Sequence, residues 1–234
     1  MRISDDRCGS VSFQGSYHDV CQDSSWHYCG EDCFALAVAD GLGSCSRSQL
    51  GSQAVGRALE QMLPAQLTLL RQPQAFAEEF HRRWLCELHG EDPAQCCTTA
   101  LFAVCIGQTL WLFRLGDGFL CAVTDQQNCT VLYDTKLECF INETYCLCET
   151  FSPEEWEIRT LHFSSLEGLV ACTDGVGISQ ETGKGYAGFT QALLEEYRNL
   201  PARETEQEVA KWLSGWPGED DKTLAFMIAE KEEL

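Results

Sequence analysis

The segment ALAVADGLGS, residues 35–44, runs from small apolar residues into one aspartate and then into two glycines on either side of Leu42. The apolar run FALAVA (34–39) has the length and composition of a buried strand, so Asp40 stands where that strand ends. A glycine after the aspartate leaves room for a bound ion, or lets its own carbonyl approach one. The segment therefore predicts a buried strand that ends in a carboxylate, either at an ordinary turn or at a binding site.

The chain around this segment has 234 residues, of which 44% are hydrophobic, and its formal net charge is −20. No linker, repeat or low-complexity tract divides it, so we expect one domain over residues 1–234. The negative charge disfavours nucleic acid and anionic membranes as partners. No apolar run has the length of a membrane helix and the N-terminus lacks an apolar signal core, which predicts a cytoplasmic location. Fifteen cysteines without an export signal indicate reduced, mostly structural thiols.

Six further apolar runs have the length of strands, and four segments have helical periodicity. The strand-like runs are 98–106, 109–115, 119–124, 129–134, 168–173 and 223–229. Tight turns at 107–108 and 116–118 predict that the first three of these runs form an antiparallel meander. The amphipathic segments are 46–63, 73–89, 186–200 and 203–214. Two helix pairs placed among short strands indicate an α+β protein in which helices cover antiparallel sheets.

Aspartates recur where the predicted strands begin or end. Asp117 lies between two strands, Asp174 follows the run that ends at residue 173, and Asp220 with Asp221 precedes the last strand. Since Asp-Gly is also a common hairpin turn pair, each of these positions alone is consistent with an ordinary turn. Carboxylates that meet at one end of a sheet repel each other unless a cation is present, and Mg²⁺ or Mn²⁺ prefers such oxygen ligands. The alternative to turns is therefore a site for hard cations, of the kind that activates water and binds a phosphoryl group.

Five segments, in this order, resemble signature segments of the metal-dependent type-2C protein serine/threonine phosphatases, the PPM family. They are GSYHDVCQDSS (15–25), FALAVADGLGS (34–44), TTALFAVCIGQTLWLFRLGDG (98–118), GLVACTDGVG (168–177) and EDDKTLAFMI (219–228). The first is similar to the Gly-x-x-His…Cys-Gln-Asp pattern of a bacterial subgroup. The resemblance extends from about residue 9 to the C-terminus. It implies a four-layer α-β-β-α sandwich of two antiparallel sheets flanked by helix pairs.

The resemblance also implies two bound Mn²⁺ or Mg²⁺ ions and a weaker site for a third. In this family pattern Asp40 bridges two ions, and the Gly41 carbonyl binds one of them. Asp174 is a terminal ligand of the second ion and Asp220 of the first. Asp117 matches the acid that holds a third ion together with Asp174.

Other positions match the catalytic part of the pattern or depart from it. Asp23 matches the aspartate that supports metal-bound waters, and His18 stands near the position of a phosphate-binding arginine. The alternative for His18 is an ordinary surface histidine. Gln22 replaces a glutamate that orders a metal-bound water, Leu42 stands where some relatives have a histidine, and Asp221 replaces a common asparagine.

The function implied by the resemblance is hydrolysis of phosphoserine and phosphothreonine proteins by a metal-activated water. We expect a monomeric enzyme of bacterial signalling with a cognate protein kinase as a further partner. The departure at Gln22 and the missing arginine favour a second hypothesis, a catalytically weak pseudophosphatase that binds phosphoproteins or regulates a kinase. A metal-dependent phosphodiesterase or nuclease is a third, and the net charge of −20 argues against polynucleotide substrates. Residues 135–167 match the variable region of the family and predict no function.

Overall fold

The computed structural model describes residues 7–30, 33–63, 65–134, 144–178 and 185–229. These ranges contain ten strands and four α-helices. The strands are β1 (Cys8–Phe13), β2 (Ser24–Cys29), β3 (Cys33–Ala39), β4 (Ala100–Ile106), β5 (Thr109–Leu115), β6 (Phe119–Thr124), β7 (Asn128–Tyr133), β8 (Glu157–His162), β9 (Leu166–Cys172) and β10 (Lys222–Ile228). The helices are α1 (Ser48–Met62), α2 (Pro73–Glu87), α3 (Gly185–Tyr197) and α4 (Ala202–Ser214). Within these ranges, no helix is both long and apolar enough to cross a membrane.

The strands form two five-stranded sheets in which every neighbouring pair is antiparallel. Sheet I has the order β1-β10-β9-β6-β7, and sheet II has the order β2-β3-β4-β5-β8. Helices α1 and α2 pack on sheet II, and α3 and α4 pack on sheet I. A third apolar core fills the space between the two sheets. The predicted four-layer α-β-β-α sandwich is confirmed.

Strand β3 shows how the sequence produces these layers. All seven of its residues are buried, because β3 lies inside sheet II with a core on each face. Ala35, Ala37 and Ala39 belong to the core beneath α1 and α2, where small side chains allow the helices to approach the sheet. Leu36 and Val38 point the opposite way, into the core between the sheets. Because the side chains alternate with a period of two, Asp40 continues the face of Leu36 and Val38, at the end of the space between the two sheets.

One predicted connection is wrong. The turn at 107–108 joins β4 to β5 as expected, but β5 and β6 lie in different sheets and do not continue the meander. The segment 116–118 instead crosses from sheet II to sheet I. Gly116 and Gly118 have positive φ angles of 97° and 87°, which glycine adopts without steric strain. A side chain at Gly116 would also clash, since its first carbon would lie 2.6 Å from Thr99 Cγ2.

Candidate metal centre

Three carboxylates meet at one end of the sandwich. One oxygen each from Asp40, Asp117 and Asp174 lies within 4.8 Å of the others. Asp40 directly follows β3 of sheet II, Asp174 lies just beyond β9 of sheet I, and Asp117 belongs to the crossing between the sheets. Among the residues that the structure describes, no other set of three His, Cys, Asp or Glu side chains comes this close together. The fold thus brings three sequence-distant acids, all singled out from the sequence, to one place.

Two threonines hold the backbone of Asp40 in position. The Asp40 amide donates to Thr99 Oγ1 at 2.9 Å, and the Asp40 carbonyl accepts from the Thr99 amide and from Thr98 Oγ1, each at 2.8 Å. Both threonines are buried, so these bonds are shielded from competing water. The sequence assigned no role to this pair, although the two threonines begin the segment 98–118 that resembles a family signature.

Close packing requires the two glycines that follow Asp40 and Asp174. A side-chain carbon at Gly41 would lie 2.8 Å from the Gln22 carbonyl oxygen and from Ser48 Cβ. At Gly175 it would lie 1.9 Å from the Asp221 carbonyl oxygen. Both distances are below van der Waals contact, so no larger residue fits at either position without moving the backbone around the site.

Asp23 lies behind the three carboxylates and has one buried oxygen without a partner. Its Oδ2 accepts a hydrogen bond from Thr173 Oγ1 at 2.8 Å, whereas its Oδ1 has none. Burial raises the pKa of Asp23 to about 7, although the hydrogen bond from Thr173 acts in the opposite direction. A buried carboxylate oxygen left unpaired is destabilising. A metal-bound water would satisfy it, so this residue fits a hydrated cation in front of it.

The electrostatics of the carboxylates also fit a cation. Burial, followed by the charges of Asp23 and Asp174, raises the pKa of Asp40 well above its ordinary range. The side chain of Asp174 reaches the solvent-exposed rim, yet removal from water and then the charges of Asp117 and Asp220 raise its pKa to about 6. A divalent cation would replace the protons that such a cluster otherwise retains. Because every donor is an oxygen, the set suits Mg²⁺ or Mn²⁺ rather than a soft metal.

Asp220 lies beside this group but outside it. Its charge contributes to the raised pKa of Asp174, after the effects of burial and of Asp117, so the two carboxylates are electrostatic neighbours. Asp220 is exposed, and its Oδ1 accepts a hydrogen bond from the Asp221 amide at 2.9 Å. The ligand role that the resemblance implies for Asp220 would therefore need its carboxylate to turn toward Asp40, the residue that the family pattern assigns to both ions.

Asp221 closes the loop of residues 15–22, which carries His18. Its Oδ1 accepts from the Gly15 amide at 2.8 Å and its Oδ2 accepts from the Gln22 amide at 2.6 Å. Asp221 is only 3% exposed, so both ends of the loop depend on one buried carboxylate. Because an asparagine has a single acceptor oxygen, the departure from the family pattern at this position has a structural reason.

His18 and the side chain of Gln22 converge over Gly43. A side-chain carbon at Gly43 would lie 3.3 Å from His18 Cε1 and 3.7 Å from Gln22 Oε1. The absence of a side chain at Gly43 thus leaves space between the His18 loop and the segment that follows Asp40. His18 is partly exposed in this position, and its ring packs edge-on against Tyr17 with centroids 4.9 Å apart.

One contact of the metal centre comes from the variable region. Thr144 Oγ1 donates a hydrogen bond to Asp117 Oδ2 at 2.8 Å, which orients that carboxylate. The sequence predicted no function for 135–167, and no local pattern distinguishes Thr144 from other polar residues there. Residues 135–143 of this region lie outside the described residues.

Comparisons with known proteins agree with the fold. Residues 16–214 match the family model described as Protein phosphatase 2C. No curated protein sequence matches the chain. The fold is similar to that of the serine/threonine phosphatase Stp1 from Staphylococcus aureus, with a TM-score of 0.70, 13% identity, and coverage of 99% of this chain and 98% of that chain. It is also similar to the S. agalactiae serine/threonine phosphatase (TM-score 0.68, 17% identity, 95% and 99% coverage) and to the catalytic domain of the serine threonine protein phosphatase PstP in complex with two manganese ions (TM-score 0.66, 19% identity, 96% and 98% coverage). At these identities the structural likeness concerns the fold alone.

Proposed function

Because the chain belongs to the protein phosphatase 2C, or PPM, family, we propose that it is a metal-dependent protein serine/threonine phosphatase that hydrolyses phosphomonoesters. The observation that carries this proposal is the group of Asp40, Asp117 and Asp174, with oxygens within 4.8 Å of one another. The unpartnered Oδ1 of Asp23 supports it independently.

The proposed ligands follow the family pattern on the described residues. Asp40 and the carbonyl of Gly41 would hold the Mn²⁺ or Mg²⁺ ions, together with Asp174 and Asp220. Asp117 with Asp174 would offer a weaker third site. The all-oxygen donor set and the raised pKa values of Asp40 and Asp174 support this assignment.

The chain's own residues position the reactants. When bound, the metal ions supply a water of lowered pKa and offset negative charge on the phosphoryl group. Asp23 Oδ1 is the acceptor that orients this water, while Thr173 holds the other oxygen of the same carboxylate. Thr98 and Thr99 hold the Asp40 backbone, which limits the movement of its carboxylate. His18 donates a hydrogen bond to a phosphate oxygen from the loop that Asp221 closes.

The substrates we propose are phosphoserine and phosphothreonine proteins, and a cognate protein kinase is the further partner. We further propose a cytoplasmic monomer in which residues 1–234 form one phosphatase domain. The assignment to the subgroup with a Cys-Gln-Asp block rests on Cys21, Gln22 and Asp23 and stays a prediction.

Two observations favour a second candidate function, a pseudophosphatase that binds phosphoproteins or regulates a kinase. Gln22 lacks the negative charge of the glutamate that it replaces, and Asp220 lies outside the group of three carboxylates. Both features would weaken metal binding. This candidate predicts phosphopeptide binding without turnover.

A phosphopeptide assay on the metal-stripped protein distinguishes the two functions. We expect Mn²⁺ to restore phosphate release, and Asp40→Asn or Asp174→Asn to lower the rate at least about 100-fold, because each removes a ligand charge. Asp92→Asn is the matched control, since Asp92 caps a short helical turn by accepting from the Ala94 amide and asparagine caps equally well. Turnover that survives chelation, or that both ligand variants retain, would refute the proposal. Binding of the phosphopeptide without release of phosphate would support the pseudophosphatase.

A further inference from the structure

Three cysteine thiols form a cluster outside the metal centre. Cys97 lies in the middle, with the thiols of Cys45 and Cys146 as its neighbours. The thiols of Cys45 and Cys97 also share an acceptor, because both donate to the Ala94 carbonyl, at 3.4 and 3.7 Å. All three side chains are half-buried, unlike Cys121, which is fully buried in the core beneath α3. Small oxidants in solution can therefore reach this thiol cluster.

Backbone pairing holds the three cysteine-bearing segments side by side. The Leu42 amide donates to the Cys97 carbonyl at 3.0 Å. Thr98 and Leu147 exchange two backbone hydrogen bonds, of 3.4 and 2.8 Å, in an antiparallel bridge. In this antiparallel bridge Cys97 and Cys146 are diagonal neighbours, on the face opposite to the side chains of Thr98 and Leu147. Backbone pairing thus brings the cysteine-bearing segments next to each other.

We propose that Cys97 forms a reversible disulfide with Cys45 or Cys146, which makes the thiol cluster a redox modification site. The oxidant class is a low-molecular-weight disulfide such as oxidised glutathione. A thiolate of the cluster attacks one glutathione sulfur and releases the first glutathione as a thiolate. The second protein thiol loses its proton and attacks the protein sulfur of this mixed disulfide, which releases the second glutathione. Two protein thiols are oxidised to one disulfide, and one glutathione disulfide is reduced to two thiols.

The environment of the cluster indicates a slow reaction. Burial, followed by the neighbouring thiols Cys146 and Cys45, raises the pKa of Cys97 far above its ordinary value. Burial, followed by Cys148, raises the pKa of Cys146 to about 11. Little thiolate is present at neutral pH, so we expect the disulfide to form under sustained oxidation rather than on brief exposure.

Each cysteine of the thiol cluster is close in sequence to residues of the candidate metal centre or to residues that contact it. Cys45 follows Asp40 and Gly41 along the chain, and Cys97 directly precedes the two threonines that hold Asp40. Cys146 lies two residues after Thr144, which bonds Asp117. A disulfide here would join segments on which Asp40 and Asp117 depend.

Differential alkylation followed by peptide mass spectrometry tests the proposal on the full chain. After incubation with oxidised glutathione, we expect Cys97 in a disulfide with Cys45 or Cys146, and dithiothreitol should return all three to the alkylatable form. Cys45→Ser should leave Cys146 as the only partner, and Cys146→Ser should leave Cys45. Cys86→Ser is the control, because Cys86 is exposed on α2 and its removal should not change the pairing.

Two outcomes would overturn the proposal. One is that Cys97 remains fully alkylatable after Cys86 has been glutathionylated. The other is a disulfide elsewhere in place of one at Cys97, for example between Cys121 and Cys129, whose thiols also contact each other. The Cys45→Ser and Cys146→Ser variants keep Cys97, so the test does not require any substitution at Cys97. None of these measurements requires phosphatase turnover, so they are independent of the proposed function.

Discussion

Replacing Asp221 by asparagine should destabilise the protein, although the family pattern commonly has asparagine at this position. The carboxylate of Asp221 accepts from the Gly15 amide at 2.8 Å and from the Gln22 amide at 2.6 Å, one with each oxygen. Asparagine has one acceptor oxygen, and its amino group would face the second backbone amide. One charge-assisted hydrogen bond is lost, and one buried donor is left without a partner.

The size of the effect follows from these two bonds. A hydrogen bond to a charged group contributes about 1.5–3 kcal/mol, and a buried unpaired donor costs about 1–3 kcal/mol. Removing the negative charge of Asp221 offsets part of this loss, because that charge is among the causes, after burial, that raise the pKa of Asp23. We expect a net loss of about 2–3 kcal/mol in the free energy of unfolding, since single-residue effects rarely exceed this range. For a chain of this size that lowers Tm by about 4–12 °C.

Thermal unfolding of the chelated protein at neutral pH, followed by circular dichroism, measures this effect without any contribution from metal binding. Hydrogen exchange should become faster at the amides of Gly15 and Gln22. Asp220→Asn is the matched control, because Asp220 is exposed and an asparagine oxygen can still accept from the Asp221 amide. If Asp221→Asn and Asp220→Asn unfold at the same temperature, the argument that one carboxylate closes the loop is wrong.

Three other perturbations test the metal centre and its packing. The chelated protein should lose stability as the pH rises from 3.8 to about 7, because burial raises the pKa of Asp23 and the folded state retains a proton that the unfolded chain has released. We expect the free energy of unfolding, measured in urea at several pH values across this range, to fall less steeply with pH for Asp23→Asn than for the unsubstituted protein. Equal slopes would contradict the raised pKa of Asp23. Thr99→Val removes the acceptor of the Asp40 amide, so we expect the free energy of unfolding in urea to fall by about 1–2 kcal/mol. We also expect weaker Mn²⁺ binding by calorimetry. If both quantities are unchanged, Thr99 does not hold Asp40 in position. Gly175→Ala places a carbon 1.9 Å from a backbone oxygen and should cost about 3 kcal/mol or prevent folding. Gly177→Ala, whose nearest neighbour would lie 3.9 Å away, should change stability by less than about 1 kcal/mol, and comparable losses for the two glycines would refute the packing argument.

The strands that the sequence predicts and those that it misses differ in where they lie in the sheets. All six interior strands have apolar residues on both faces, as in CFALAVA of β3, and all were predicted. The three missed strands, β1, β2 and β8, are edge strands. An edge strand such as EIRTLH of β8 carries polar residues because part of its surface meets solvent, so its hydrophobic pattern is weak.

The residues of the metal centre could be predicted, but their arrangement could not. Asp-Gly pairs at strand ends made Asp40 and Asp174 candidates, and the resemblance to the family distinguished them from ordinary turns. The crossing between the sheets at Asp117 was read as a hairpin, since a short glycine turn is typical of both connections. Thr144 bonds Asp117 across 27 positions of sequence, and no local pattern reports such a contact.

The origin of the proposed metal ligands in different layers has a consequence for folding. Asp40 extends from sheet II and Asp174 from sheet I, so the complete set of proposed ligands exists only after the two sheets have come together. A cation bound between them dissociates when the sheets separate, and its concentration shifts the equilibrium toward the native chain by about 2.7 kcal/mol at 100 times its Kd. A low cellular concentration of divalent ions would therefore lower the folded fraction of this protein as well as the occupancy of its metal site.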